Sequence, residues 1–434
     1  MKWTVATRRH GSNIMNIVAK TLNYLWLHGW QYRATERRHV RLVEQLKGKH
    51  PVSVVFMAID LAYWRYQHLY ELMATDERFD VHIVLSPCLE RQHKEQDMER
   101  LRQYFRHRDI AFIDYDFQQK PFDIRGQLNP DIIFFAQPYE HLLCREHDCL
   151  NFYDRLTCYM PYAFWTSTGK LSYNLHFHNR AWRLYYSTEL HRKEAQQVAD
   201  NRGRNVRVVG YANADDYLCG HYDEKVWKQV NDGRQRKRII WAPHFSIIEK
   251  NSALPPRSNF LWMAPLMLTI AQKYADRLQI AFKPHPSLLT QLYQHPDWGQ
   301  QRTDEYYRQW QTMDNTQLEA GAYTDLFMTS DAMIHDSGSF VVEYLYAHRP
   351  VMFISKNLKP ILDTQSEFGR KAYEQSYIGQ TEADICQFID HVVLANEDPM
   401  HAQRQQFFEN YLLPPGQKSV AQNIIDDLTE ALSL

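Results

Sequence analysis

"SDAMIHDSGSFVVEYLYAHRPVMFIS", residues 330–355, passes from an apolar run into the small polar cluster His335-Asp336-Ser337-Gly338-Ser339. It then takes up a helical pattern and ends in a second apolar run, "RPVMFIS". Apolar run, polar turn, helix, apolar run is the repeating unit of a parallel sheet flanked by helices. In such sheets the turn beyond a strand's carboxyl end is where ligands bind.

The same alternation extends to either side. "RIIWAP" (238–243), "LQIAFKPHP" (278–286), "DLFMTSDAMIHD" (325–336) and "RPVMFIS" (349–355) read as strands, with helices over 261–275 and 340–347. An earlier series, "VSVVFMAI" (52–59), "FDVHIVLS" (79–86), "IAFIDY" (110–115) and "DIIFFAQ" (131–137), is β-branched, aromatic and short, and helical spacing over 64–75 and 91–108 falls between its runs. The expected fold is therefore α/β, with two Rossmann-type doubly wound domains facing across a cleft and an N-terminal helical extension. The expected segments are a basic amphipathic extension (1–50), an acceptor domain (51–228), a polar linker "QVNDGRQRKR" (229–238), a donor domain (239–413) and a closing stretch (414–434). In the last, Pro414-Pro415-Gly416 precede a helix capped by Ser419.

Composition sets limits on function. The chain has 434 residues, 23% charged and 44% hydrophobic, with a formal net charge of -1, which fits a folded soluble protein and not a general nucleic-acid binder. Six cysteines without CxxC spacing argue against zinc and against a disulfide framework, and they read as reduced cytoplasmic thiols. Residues 1–50 hold ten Lys or Arg against two Glu, and Ile17, Leu22, Leu25, Trp26 and Trp30 alternate with these charges. Two readings stand for this segment: helices packed on the body, or a Trp-bearing surface helix touching anionic lipid headgroups. The localisation expected is cytoplasmic, with a peripheral place on the inner face of the membrane under the second reading.

The chemistry gathers at strand ends. "WAPHFS" puts His244 and Ser246 after one strand, "FKPHPS" puts Lys283, His285 and Ser287 after the next, and "HDSGS" follows a third. Each cluster alone is an ordinary cap or turn; together they suit a phosphate. Ser337, Gly338 and Ser339 would open a helix whose unpaired N–H groups and dipole favour an anion. Glu343, one turn on, would repel phosphate but accept hydrogen bonds from ribose hydroxyls, with Asp336 also on the nucleotide side.

At these residues the sequence resembles the CDP-glycerol glycerophosphotransferase family, which builds teichoic acid and related poly(alditol phosphate) chains on a GT-B architecture. The family run "sDvlItDySSvvfDyl...rPvify" is matched by Ser330-Asp331, Ile334, Asp336, Ser339, Glu343 in place of Asp, and "RPVMFI". Its "RPHP" is matched by "KPHP", its "yAPTwR" by "WAPHFS", its "GyPRnD.L" by "GYANADDYL" (210–218) and, loosely, its closing "dGkas..v" by "PGQKSVAQNI". The resemblance covers roughly residues 130–430. Two departures stand out. The family's "WHGTPLK", whose histidine is thought to act as base, is replaced by "YMPYAFWTSTGK" after Cys158, and Ser246 replaces the arginine of "APTwR".

The resemblance implies that an acceptor hydroxyl attacks the β-phosphorus of a CDP-alditol and that CMP leaves. His285 and Lys283 would contact the phosphates, the Ser337–Ser339 amides would form a second donor set, and Glu343 would hold the ribose. For the base, His244 leads, with Tyr162, His176 and His178 as candidates on the acceptor side. No acidic cluster has divalent-metal spacing, so no metal and no cofactor beyond the nucleotide-activated donor is expected. The expected partners are that donor and a glycan or lipid-linked glycan acceptor. A GT-B glycosyltransferase using a nucleotide sugar, and a non-catalytic nucleotide- or glycan-binding protein, are the alternatives.

Overall fold

The computed structural model describes residues 29–434 except 92, 248–257 and 322. The chain divides into two compact units. One holds residues up to Tyr162, Gly169–Ala212 and Lys418–Leu434; the other holds Ala163–Thr168 and Asn213–Gln417.

In the first unit β1 (Val52–Ala58), β2 (Phe79–Leu85), β3 (Ile132–Phe135), β4 (Leu156–Tyr159), β5 (Arg183–Tyr186) and β6 (Val206–Val208) form one parallel sheet of order β2-β1-β3-β4-β5-β6. Every residue of β3 and β4 is buried, as strands covered on both faces require. The run 110–115, expected as a strand, makes a single parallel bridge, Val84 to Ile113, beyond β2. Ile113 donates to Ile83 O and its carbonyl accepts from Leu85 N, and there the pairing stops.

The second unit's sheet contains β7 (Lys237–Ala242), β8 (Leu278–Phe282), β9 (Thr316–Leu318), β10 (Ala332–His335), β11 (Val351–Ile354) and β12 (Tyr377–Gly379), all parallel, in the order β12-β11-β10-β7-β8-β9. The chain works outward from β7 to β9, then restarts on the other side at β10. The crevice between β7 and β10 is thus the topological switch point. Trp241 of β7 stacks at 5.8 Å on Phe260 and at 4.8 Å on Phe282 of β8, anchoring an aromatic core beneath that point.

Several expectations change. The run 325–336 is not one strand: Thr324–Met328 is a helical turn burying Leu326 and Phe327, and only Ala332–His335 is extended. A short apolar run does not distinguish the two by periodicity. The helix expected over 340–347 is one α turn, Phe340–Glu343, followed by a 3-10 turn, Tyr344–Ala347. The stretch 229–238 lies within the second unit, and the crossing before it falls between Ala212 and Asn213.

The closing helix, Val420–Leu432 with Ser419 as its cap, belongs to the first unit. Asp427 fixes it there, accepting from Arg183 Nε (2.8 Å), Arg207 Nε (3.0 Å) and the Tyr185 hydroxyl (3.0 Å).

Ile17, Leu22, Leu25 and Trp26 lie outside the described residues. Residues 29–46 are helical and bury Thr35, His39 and Leu46. Thr35 Oγ1 accepts from Arg180 Nε at 3.1 Å, so one face packs on the first unit. The opposite face leaves Trp30, Arg33, Arg37, Val40 and Arg41 exposed.

Candidate active site

The carboxyl ends of β8, β7 and β10, neighbours in the sheet, carry the predicted cluster. Main-chain bonds lock the three loops together: Lys283 N donates to Trp241 O (2.8 Å) and His285 N to Pro243 O (3.0 Å). His244 N donates to Asp336 Oδ1 (2.6 Å). The rings of His244 and His285 lie 5.4 Å apart, with Phe245 against both at 4.3 and 4.5 Å.

Each imidazole has a backbone N–H facing its Nδ1. Ser287 N–H points at His285 Nδ1 (3.1 Å), and Ser246 N–H at His244 Nδ1 (3.3 Å). A neutral ring that accepts at Nδ1 carries its proton at Nε2. Burial and the adjacent Lys283 lower the His285 pKa, so at neutral pH this ring is an uncharged N–H donor. His244 Nδ1 also lies 2.8 Å from Ser246 Oγ, so this ring can donate there and accept at Nε2, as the expected base must.

Lys283 is buried, and its Nζ donates to Gly321 O (2.9 Å) and sits 5.2 Å from the centre of the Tyr323 ring. Burial pushes its pKa down to about 8. A cation required for phosphate binding is then lost as pH rises through that value. We therefore expect kcat/KM for an anionic donor to fall above pH about 8. Lys283→Arg should carry the alkaline limb to higher pH, because a guanidinium stays charged. An unchanged limb in the pH–rate profile would remove Lys283 from the phosphate site.

The "HDSGS" turn departs from expectation in two ways. Asp336 does not face a ligand: it is 2% exposed and accepts from His244 N, Asn259 N and Asn259 Nδ2. It is a brace, and burial outweighs those bonds to raise its pKa to about 6. His335 is likewise a core group, held neutral by burial and donating from Nδ1 to Ser337 O. Ser337 is buried, while Gly338 and Ser339 are half-buried and lead into only one α turn, so little helix dipole stands behind them.

Glu343 is 3% exposed and accepts at Oε2 from the hydroxyls of Tyr323 (2.7 Å) and Tyr217 (3.4 Å). Sequence reasoning missed these tyrosines and Asn259. Asn259 ties Asp336 to Ile354 O and accepts from Trp262 Nε1. Its only sequence signal was a cap-type residue ahead of an apolar helix.

On the first unit, His178 is fully buried, takes Leu175 N–H at Nδ1 and stacks on Tyr159 at 6.0 Å. Burial lowers its pKa to about 3, so it is a core residue and not an acceptor-side group. Tyr162 is half-buried, edge-on to Tyr63 at 4.3 Å, with its hydroxyl pKa raised by burial. His176 Nδ1 bonds Glu140 at 2.6 Å. Among the described residues no group of His, Cys, Asp or Glu is placed to hold a metal ion.

Two doubly wound parallel sheets give the two-sheet α/β architecture of the GT-B class. The chain belongs to the CDP-glycerol:poly(glycerophosphate) glycerophosphotransferase family, whose model matches residues 166–428. No protein of curated function matches it in sequence. Similar solved structures include a variant of the wall teichoic acid polymerase TagF, with a TM-score of 0.56 and 10% identity, covering 95% of this chain and 99% of that one. UDP-GlcNAc 2-epimerase from Neisseria meningitidis, bound to UDP-GlcNAc, has a TM-score of 0.56 at 13% identity, covering 87% of this chain and 99% of its own. The S. aureus MnaA–UDP structure has a TM-score of 0.53 at 13% identity, covering 89% and 98%. At such identities the likeness is one of fold.

Proposed function

We propose that the protein transfers glycerol phosphate, or a similar alditol phosphate, from a CDP-activated donor to a hydroxyl of a cell-surface glycan. The observation that carries this reading is the family match over 166–428, which includes the rim of His244, Lys283 and His285. A TagF variant was solved after soaking with CDPG, which supports a donor of that kind here.

In the reaction, the acceptor oxygen forms a bond to the β-phosphorus while the bridging P–O bond breaks and its electron pair leaves with CMP. Catalysis of this kind is positioning plus neutralisation of charge on the phosphoryl oxygens. The Nε2–H group of His285 and the ammonium of Lys283 suit that task, while buried Glu343 with its two tyrosines braces the adjoining turn. The acceptor's proton passes to His244, whose Nε2 accepts when Nδ1–H donates to Ser246 Oγ.

The test offers CDP-glycerol and a hydroxylated glycan acceptor. CMP release matched by phosphodiester formation supports the reading. Release of a nucleoside diphosphate from a nucleotide sugar would replace it with glycosyl transfer, and binding without turnover would replace it with a non-catalytic role.

The exposed face of the 29–46 helix supports a peripheral position on an anionic membrane surface. Trp30 is 60% exposed, beside Arg33, Arg37 and Arg41 on one stripe. Among the described residues no helix is long and apolar enough to cross a membrane. Each basic residue near such a surface contributes about 1 kcal/mol. Arg33→Glu, Arg37→Glu and Arg41→Glu together should therefore lower co-sedimentation with phosphatidylglycerol vesicles at least ~10-fold. Undiminished binding would rule this face out.

A further inference from the structure

The stretch 229–238, read in the sequence as a linker, instead leads into β7 within the second unit and lines a cavity of about 680 Å³ at the sheet edge opposite His244 and His285. Lys228, Arg234, Arg236, Lys237, Arg238 and Arg277 line it, with Asp331 as the carboxylate among them. A contiguous cavity of about 410 Å³ shares Arg236, Arg238 and Asp331 and adds Arg349 and Glu224. The cations stand at the starts of three strands, Arg349 before β11, Lys237 opening β7 and Arg277 before β8, with Asp331 before β10 between the first two. With strands about 4.8 Å apart, the row runs about 15 Å across the edge.

Local ion pairs leave this surface positive. Lys237 pairs with Asp331 (3.2 Å), Arg238 with Glu224 (2.9 Å) and Arg236 with Asp232. Arg234 reaches the same Asp232 only at 3.9 Å, and Arg277 reaches Asp276 at 4.0 Å. The chain as a whole has a net charge of -1, so this concentration of cations is local. None of the lining residues is an exposed large hydrophobic group, unlike Trp30 on the 29–46 helix. A concave basic groove without apolar anchors suits a soluble linear polyanion better than a lipid surface.

We infer that this groove is an exosite for the phosphodiester chain of the polymer under extension, which it holds away from the reacting end. The inference rests on the proposed function for the identity of the polyanion. Its effect is that long acceptors bind more tightly than short ones, in a salt-dependent way, since each neutralised phosphate releases a counterion.

The experiment measures anisotropy of a fluorescent poly(glycerol phosphate) chain of about 20 repeats, a length chosen to exceed the ~15 Å row, over a salt series. The proteins compared are wild type and the variant Arg234→Ala, Arg277→Ala, Arg349→Ala, three exposed side chains whose loss leaves the fold and the donor site intact. The variant should bind at least ~10-fold more weakly with a shallower salt dependence, while turnover of a single-unit acceptor stays at the wild-type rate. Equal affinity in the two proteins, or no polymer binding by wild type, overturns the exosite. So does a variant that loses only its binding to phosphatidylglycerol vesicles, which would assign the groove to membrane. Polymer binding through these arginines in a protein without transfer activity would leave the exosite standing and remove the proposed function.

Discussion

His285→Ala is expected to lower the rate of transfer by about 10²–10³-fold, the usual consequence of deleting one preorganised donor to a developing oxyanion. The ring is half-buried, so its loss leaves the fold in place. Its proton is fixed on Nε2 by the Ser287 amide, and its neutrality by burial beside Lys283. His285→Gln should recover part of the loss through its amide N–H, which a purely structural role would not show. Steady-state rates with circular dichroism of each variant check the result; wild-type turnover by His285→Ala would dissolve the site.

Asp336→Ala should have the largest effect on stability. The carboxylate accepts from two backbone amides and one side-chain amide in a place closed to water. Stranding those three donors costs at least about 3 kcal/mol, since each buried unsatisfied group costs about 1–3 kcal/mol. The pH dependence adds a signature. The folded pKa is raised from 3.8 to about 6, so proton uptake favours the fold. This contribution is complete below pH about 4 and fades as pH rises through 6, a change of roughly 3 kcal/mol. Urea unfolding from pH 4 to 7 should show that slope in wild type and lose it in Asp336→Ala. Parallel curves would mean that Asp336 does not brace the switch point. Transfer should fall as well, because the His244 main chain loses its anchor.

The rim of the second unit was legible because its strands are followed by residues that strands do not use. Pro243-His244, Lys283-Pro284-His285 and Asp336-Ser337-Gly338 all interrupt apolar runs, and the structure brings all three together. Their roles were less legible. Whether His244 accepts or donates depends on how its Nδ1 meets the Ser246 amide and hydroxyl, and whether Asp336 faces a ligand depends on Asn259, 77 residues away in sequence. Neither relation has a periodicity.

In the first unit β4, β5 and β6 were missed because runs of three or four residues such as "LTCY" and "RLYY", buried within the sheet, show no alternation. His178 was misplaced for the opposite reason. A histidine in a polar-looking "HFHNR" turn gives no sign that the turn packs inward. The unit boundaries were hidden as well, since the chain crosses at Ala212 without a change of composition.

The return of the closing helix to the first sheet has a consequence for biosynthesis. Asp427, which ties that helix to Arg183, Arg207 and Tyr185, is translated after every residue of the second unit. Domains commonly mature in the order in which they emerge from the ribosome. Here the earlier-emerging sheet must wait, with the flank that Asp427 anchors uncovered, until the later one has been made. A nascent chain stalled at residue 417 would present a finished second unit beside an unfinished first, the form in which chaperones would meet it.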